Sequence, residues 1–262
     1  SNVDEKKDRL CNRTHLYYQP RYEDGMTGMQ RVIQYGRPYQ RLRPTEYTYD
    51  VFYRVNDSRF WKSFRTLYLS TVSAKGTDIN GQEQTHVVGS TVGIKIIVND
   101  SSDNRYDSKY AGSKFPNYWV RYNNNGETEF TVSKFAGLDK YLDPHRTGNQ
   151  NDIDGTRDGF LARIGETYLI VAEAYGRNND YTNAVKYINY VRERAGYATN
   201  ENRSEYSNAK ANSYFSKTTY YESTGLTVIT ASTTNTMLIT EATFRADADA
   251  GIPYAVFGAP ST

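Results

Sequence analysis

The sequence predicts a chain organised around one helical hairpin, with a large irregular, partly β, region in front of it. Three observations carry this. Apolar residues recur at helical spacing between residues 159 and 196, and no other stretch is so regular. The first 60 residues are dense in Tyr and Arg and are broken by Pro20, Pro38 and Pro44, which favours loops. Residues 61–100 hold short runs of β-branched and aromatic residues bounded by turn formers, as strands do. At 262 residues the chain is long enough to bury a core and reads most simply as one domain, 1–262.

Taken in order, the Tyr-rich opening leaves room for one short helix around Thr45–Tyr53. Arg65–Val72 alternates partly and Thr91–Val98 is β-branched, so two or three short strands are expected before residue 100. Residues 99–129 are polar and turn-rich and end in a surface loop at Asn123-Asn124-Asn125-Gly126. The hairpin follows. Leu161, Ile164, Tyr168, Val171 or Ala172, and Tyr175 share one helical face, and Gly176 suits a helix end. Asn178-Asn179-Asp180 makes a tight turn with Asp180 as N-cap. A second helix then aligns Ala184 or Val185, Ile188, Val191 and Ala195 before stopping at Gly196. A turn this short makes the two helices antiparallel. Beyond it the chain is rich in Ser, Thr, Asn and Tyr; Thr227–Thr230 could form a strand, and Ala246–Thr262 shows no pattern.

Composition narrows the function. Leu, Ile, Val and Phe together number 49 of 262, while Tyr alone numbers 25, so tyrosine must supply much of the packing. With 32 basic and 30 acidic residues, the chain has no charge bias toward nucleic acid or anionic membranes. Its longest aliphatic run, Ile94-Lys95-Ile96-Ile97-Val98, is of strand length and far from a membrane span. A single cysteine, Cys11, precludes an internal disulfide framework and a multi-cysteine metal site. The charged opening Asp4-Glu5-Lys6-Lys7-Asp8-Arg9 is unlike a signal peptide, and Asp8-Arg9-Leu10 before Cys11 is unlike a lipid-acceptor site. These residues therefore read as cytosolic or as the interior of a longer precursor.

Enzyme chemistry finds little support. Gly89-Ser90-Thr91-Val92-Gly93 has Thr where a nucleophile elbow needs Ser, and it reads as a strand with flexible ends. His15, His86 and His145 stand in no metal or acid–base spacing, and neither dinucleotide nor P-loop glycine pattern occurs. Asn149–Gly155 hints at a calcium loop, yet Ile153 and Leu161 fall where oxygen donors are needed, which favours an Asx-rich turn. No catalytic residue, metal ligand or cofactor is expected. What remains is Tyr and Trp interleaved with Arg, Asn, Asp and Gln, the chemistry of sugar recognition. Aromatic faces take the apolar faces of pyranose rings, and planar polar groups take the hydroxyls. Tyr17–Gly25 is one such cluster and Asn117–Asn123 another.

A resemblance sharpens this. Gly36-Arg37-Pro38-Tyr39-Gln40-Arg41-Leu42-Arg43-Pro44-Thr45, followed by Asp57-Ser58-Arg59-Phe60, resembles the G-R-P-W-x-R-L-x-P-T and D-x-R-F stretches of SusD/RagB-like proteins. Lys140-Tyr141-Leu142-Asp143-Pro144-His145-Arg146 is similar to that family's K-Y-x-D-P-x-R. Arg163 to Ala174 resembles its R-x-x-E-x-Y-L-x-x-A-E-A helix, and Asn189 to Gly196 its N-x-V-R-x-R-A-G. The pieces occur in the family's order over residues 14 to 196.

The resemblance implies a mainly α fold built on tetratricopeptide-like hairpins with an irregular ligand-binding side. It also implies a lipid-anchored protein of the outer-membrane surface, which binds oligosaccharide without cleaving it and delivers it to a TonB-dependent, SusC-like transporter. The family is longer and its closing E-R-x-x-E-L helix has no counterpart here, so the chain reads as a fragment of the carboxy-terminal half. Its lipid anchor would lie outside this chain, and an incomplete core would expose the apolar stripe of 161–175. Arg163, Glu166, Tyr168, Pro44, Asp57 and Arg59 are expected to be structural. Tyr17, Tyr18, Tyr22, Tyr39, Trp61 and Trp119 are expected as stacking platforms for glycan, with Arg21 and Asn117 as polar partners. The competing expectation is a tetratricopeptide-like scaffold that binds protein and has no sugar affinity.

Overall fold

The computed structural model describes residues 12–23, 28–52, 57–78, 81–89, 92–98, 116–121, 127–146, 148–155, 157–196 and 237–244. Cys11, the Asn123–Gly126 loop, the Thr227–Thr230 segment and Ala246–Thr262 lie outside them. By its contacts the chain divides into two compact units. One is Ser1–Pro44 with Ser63–Gly159; the other is Thr45–Lys62 with Phe160–Thr262.

Among its described residues the first unit carries seven short strands: β1 Phe64–Arg65, β2 Leu67–Leu69, β3 Ala74–Thr77, β4 Glu83–His86, β5 Val92–Ile97, β6 Asn117–Val120 and β7 Gly137–Leu138. They form a β1–β7 pair, a β3–β4 hairpin and a three-stranded sheet of order β2-β5-β6. Five strands thus precede residue 100 where two or three were expected. β6 is a further strand in a stretch that reads as turns. It pairs parallel to β5, placing Ile96 beside Trp119 and Lys95 beside Tyr118, while Tyr68 of antiparallel β2 faces Ile94. Strand alternation sends Ile94, Ile96, Tyr68 and Trp119 to one face, where all four are buried.

Tyrosine fills the centre of this unit, as the composition requires. Tyr22 stacks on Tyr68 at 5.4 Å, and Tyr35 meets both rings edge-on, at 5.6 Å and 5.0 Å. Such pairs contribute roughly 0.5–1.5 kcal/mol each beyond area burial. The hydroxyls are satisfied inside: Tyr22 donates to the Gly36 carbonyl at 2.7 Å and Tyr35 accepts from the Leu69 N–H at 2.9 Å. The Arg65 guanidinium lies 4.8 Å from the Tyr35 ring centroid and pairs with Asp139 at 2.7 Å, so the buried cation is compensated.

The second unit is helical: α1 Glu46–Asp50, α2 Ser58–Ser63, α3 Ile164–Arg177 and α4 Tyr181–Ala195, with a helical turn at 241–244. α1 falls where the short helix was expected, and α3 and α4 form the expected antiparallel hairpin. Its turn closes as a Schellman motif with Asn at the left-handed position. Asn179 has φ +60, the Asp180 N–H reaches the Tyr175 carbonyl at 2.9 Å, and the Asn179 N–H reaches the Gly176 carbonyl at 3.0 Å. Asp180 then caps α4, its carboxylate accepting from the Asn183 N–H at 3.1 Å and the Asn183 amide at 2.7 Å. Tyr168, Tyr175, Tyr187 and Tyr190 interlock between the helices, Tyr175 lying flat on Tyr187 at 5.7 Å. Ala172, Ala184, Val185 and Ala195 are buried on the facing stripes.

α3 starts later than its apolar pattern does. Arg163 is extended (φ −133, ψ 145) and serves as N-cap, so Leu161 precedes the helix and is fully exposed. Of the stripe expected to be uncovered, Leu161 and Ile164 are exposed, whereas Ala172 is buried and Tyr168 and Tyr175 pack against α4; Phe160 and Ile170, outside that stripe, are exposed as well. No helix of the described residues is long and apolar enough to cross a membrane. The hairpin matches the mainly helical expectation, while the first unit is richer in strand than that expectation allows.

An aromatic surface as candidate functional site

Backbone hydrogen bonds assemble an aromatic surface on the first unit. Residues Thr14–Leu16 form a 3-10 turn, and the three successive carbonyls of residues 16–18, from its last residue onward, gather two distant segments. Leu16 accepts from the Tyr39 N–H at 3.1 Å, Tyr17 from the Leu42 N–H at 2.9 Å, and Tyr18 from the Leu138 N–H at 3.3 Å. Tyr17, Tyr18, Tyr39 and the residues after β7 are thereby neighbours, although more than a hundred residues separate the extremes. The Tyr18 ring stacks on Tyr141 at 4.7 Å with planes 20° apart. Tyr39 and Tyr141 are each 36% exposed, and Tyr17 and Tyr18 are half-buried. The Arg37 guanidinium sits 4.5 Å over the Tyr39 ring, and Leu42 is exposed beside this segment.

Each part of the surface is held from below. Gly36 turns the chain into Arg37-Pro38-Tyr39 with φ +73 and ψ −179, a conformation open essentially to glycine alone. A Cβ there would lie 2.7 Å from Leu142 Cδ2. The turn bearing Tyr141 is pinned by Arg157, whose Nη1 donates to the Lys140 and Leu142 carbonyls at 2.8 Å and whose backbone N–H donates to Asp143 at 3.1 Å. Arg37 reaches the Asn151 carbonyl and Arg31 the Asn151 side chain, joining the surface to the 149–152 turn. That turn is Asx-rich as expected: Asn149 accepts from the Asn151 N–H at 2.7 Å, and Asp152 accepts from the Asn149 N–H at 2.9 Å. Among the described residues, no group of three His, Cys, Asp or Glu side chains could hold a metal ion.

His15, inside the 3-10 turn, is 2% exposed, and neither ring nitrogen makes a hydrogen bond. Burial, reinforced by the nearby Arg146 charge, lowers its pKa to about 4, while Asp143 and the Asn12 and Asp152 backbone pull the other way. His15 is therefore a neutral packing group at pH 7. Gly155 closes against it, since a Cβ there would approach His15 Nδ1 and Asp143 Oδ2 at 3.1 Å.

The structure separates the expected stacking residues. Tyr17, Tyr18 and Tyr39 come together on the surface, and Arg21 is exposed with its backbone N–H on the Ser133 carbonyl. Tyr22, at 0% exposure, and Trp119, at 2%, lie in the core and offer no open ring face. Trp119 shares one face of β6 with half-buried Asn117; its indole nitrogen and Asn117 Oδ1 are enclosed without hydrogen-bond partners. Trp61 belongs to α2, and its side chain lies outside the described part. Tyr141 and Arg37 complete the surface without having been singled out. Both stand in the family-like motifs, which sequence reading treats as structural.

In the second unit Asp57, Arg59, Asn189 and Arg192 of the motifs make packing contacts, while Arg163 and Glu166 are exposed. Asp57, fully buried, takes Arg59 in a two-point ion pair at 2.8 and 2.5 Å and bridges by its backbone to Gly196. Asn189 grips Ile239 through both its N–H and its carbonyl, at 3.0 and 2.8 Å, and Arg192 one turn later donates to the Met237 carbonyl. The spacing Asn189-x-x-Arg192 thus serves to clamp one extended segment against α4.

No curated protein and no solved structure matches the chain. The sequence model of the SusD family matches residues 14–219. Proteins of that family in general are non-catalytic, bind glycans for uptake, and work at the outer-membrane surface with SusC-like transporters. With a match over most of its length, and with the ordered motifs joined as described, this chain belongs to the SusD family.

Proposed function

We propose that this chain captures oligosaccharide at the outer-membrane surface, without cleaving it, for delivery to a TonB-dependent, SusC-like transporter. Membership of the SusD family supports the capture role. The observation that carries the assignment of a site is the Tyr18–Tyr141 stack, with Tyr39 and Tyr17 gathered beside it by the carbonyls of residues 16–18. Paired ring faces suit the apolar faces of sugar rings, and Arg37 and Arg21 supply donors for hydroxyls. A shallow platform of this kind binds weakly, at micromolar to millimolar Kd, roughly 4–8 kcal/mol. In the full precursor a lipid anchor would hold the protein to the membrane.

Isothermal titration of soluble oligosaccharides against Tyr18→Ala and Tyr141→Ala tests the platform. Loss of about tenfold in affinity with an unchanged fold supports it, and unchanged affinity removes it. A second reading, a protein-binding scaffold, is favoured by the exposed Phe160, Leu161, Ile164 and Ile170 around the start and outer face of α3. An Ile170→Asp variant that keeps glycan affinity but loses the transporter in pull-down would assign partner docking to that stripe.

A further inference from the structure

Lys95 occupies the middle of β5, the central strand of the β2-β5-β6 sheet, and is 9% exposed. Lysine seldom enters a core unless an anion accompanies it. Arg65 obeys that rule through Asp139, whereas Arg146, 3% exposed, makes one side-chain hydrogen bond, to the Gln150 carbonyl at 3.4 Å. Among the described residues Lys95 makes no ion pair and no hydrogen bond through its ammonium, which lies 5.8 Å from the centroid of the Tyr118 ring. Desolvation alone lowers its pKa to about 8, with no charged group contributing, so it remains a cation at neutral pH.

The sheet explains the placement. Lys95 aligns with Leu67 on one side and Tyr118 on the other, on the face opposite Ile94 and Ile96. Along β5 the same face carries Gly93, where a Cβ would run into Met29 Sδ, so Leu67 and Met29 supply apolar groups to the face that bears the lysine. Tyr118 belongs to β6, which ends the sheet, and it is half-buried. A cation on an apolar face, with an adjacent aromatic ring and no anion of its own among the described residues, is a receptor for an anionic group carried on a sugar ring.

We propose that Lys95 and Tyr118 form a subsite for the acidic group of a charged glycan, a uronate carboxylate or a sulfate ester. The inference rests on the capture reading and specifies its ligand class. The ring of Tyr118 receives the sugar, and the ammonium receives the anion in a setting where poor solvation strengthens the attraction.

The test pairs each acidic polymer with a neutral mate: polygalacturonate with its methyl ester, and dextran sulfate with dextran. The whole chain and its Lys95→Met, Lys95→Arg and Lys75→Met variants are compared by affinity electrophoresis. Lys75 is exposed and serves as control for unspecific attraction to polyanions. The expected result is at least tenfold tighter binding of one acidic polymer than of its mate, abolished in Lys95→Met and kept in Lys95→Arg and Lys75→Met. Methionine matches the stem and removes only the charge, so thermal unfolding at or above the parent temperature verifies that this variant is folded. Equal binding of acidic and neutral polymers, or a preference that survives Lys95→Met, overturns the inference and leaves glycan capture standing. Binding of no polymer at all overturns the capture reading and the inference with it. The carboxylate and sulfate arms tell the two acidic groups apart.

Discussion

Neutral, buried His15 makes the first unit sensitive to acid. Its pKa is about 4 in the folded chain against 6.5 for an ordinary histidine, chiefly through burial and secondarily through Arg146. Between these values the unfolded chain binds a proton that the folded chain refuses, so stability falls as pH falls from about 6.5 to 4 and is fully present above that window. At 1.36 kcal/mol per pKa unit, the loss attributable to His15 is about 3 kcal/mol by pH 4. Asp143 faces the same ring and opposes the loss. Other carboxylates also titrate near the lower end, so the informative quantity is a difference. Urea denaturation of the parent and of His15→Gln, each at pH 7 and pH 4.5, yields it. Glutamine has no proton to gain, and the parent should lose about 2–3 kcal/mol more than the variant over this interval. Parallel losses in the two proteins would refute the reasoning and place His15 in contact with solvent.

Three further outcomes follow from particular contacts. Asn189→Ala leaves the Ile239 N–H and carbonyl unpaired, which should cost about 1–3 kcal/mol. Amide hydrogen exchange at Ile239 should accelerate accordingly, and unchanged protection would mean that Asn189 is not the clamp. Gly36→Ala forces a methyl into a glycine-only backbone conformation against Leu142, for a penalty on the order of 1–3 kcal/mol seen as a lower Tm. Asp57→Asn removes the charge that Arg59 grips from a fully buried position and should cost about 2 kcal/mol in equilibrium unfolding.

The hairpin was legible because its signals are local. Period-3.6 spacing, an Asn–Asn–Asp turn and a capping aspartate all act within a few residues of one another, and α4 begins and ends where they say. The start of α3 was misplaced because Leu161 continues the apolar spacing, while Arg163 leaves the helical conformation. β6 was missed for a different reason. Its parallel pairing with β5 lies between segments whose partners no local pattern announces, and Asn117-Tyr118-Trp119-Val120 carries too few aliphatic residues to read as a strand.

The aromatic residues show the same limit. Tyr22 and Tyr39 look alike in sequence, yet one is enclosed by Tyr35 and Tyr68 and the other lies exposed under Arg37. Only tertiary contacts decide which ring is packing and which is surface. Tyr141 was visible as a motif residue, but its place against Tyr18 depends on Arg157 and on the Leu138 hydrogen bond, neither of which spacing reveals.

The central claim is that the chain holds glycan and leaves it whole. Affinity electrophoresis against a panel of soluble polysaccharides, with reducing-end release assayed in the same samples, tests it most directly. The account predicts retardation by at least one polysaccharide, no release of reducing ends, and loss of the retardation in a folded Tyr18→Ala, Tyr39→Ala double variant. Release of reducing ends, or retardation that the double variant keeps in full, would contradict it.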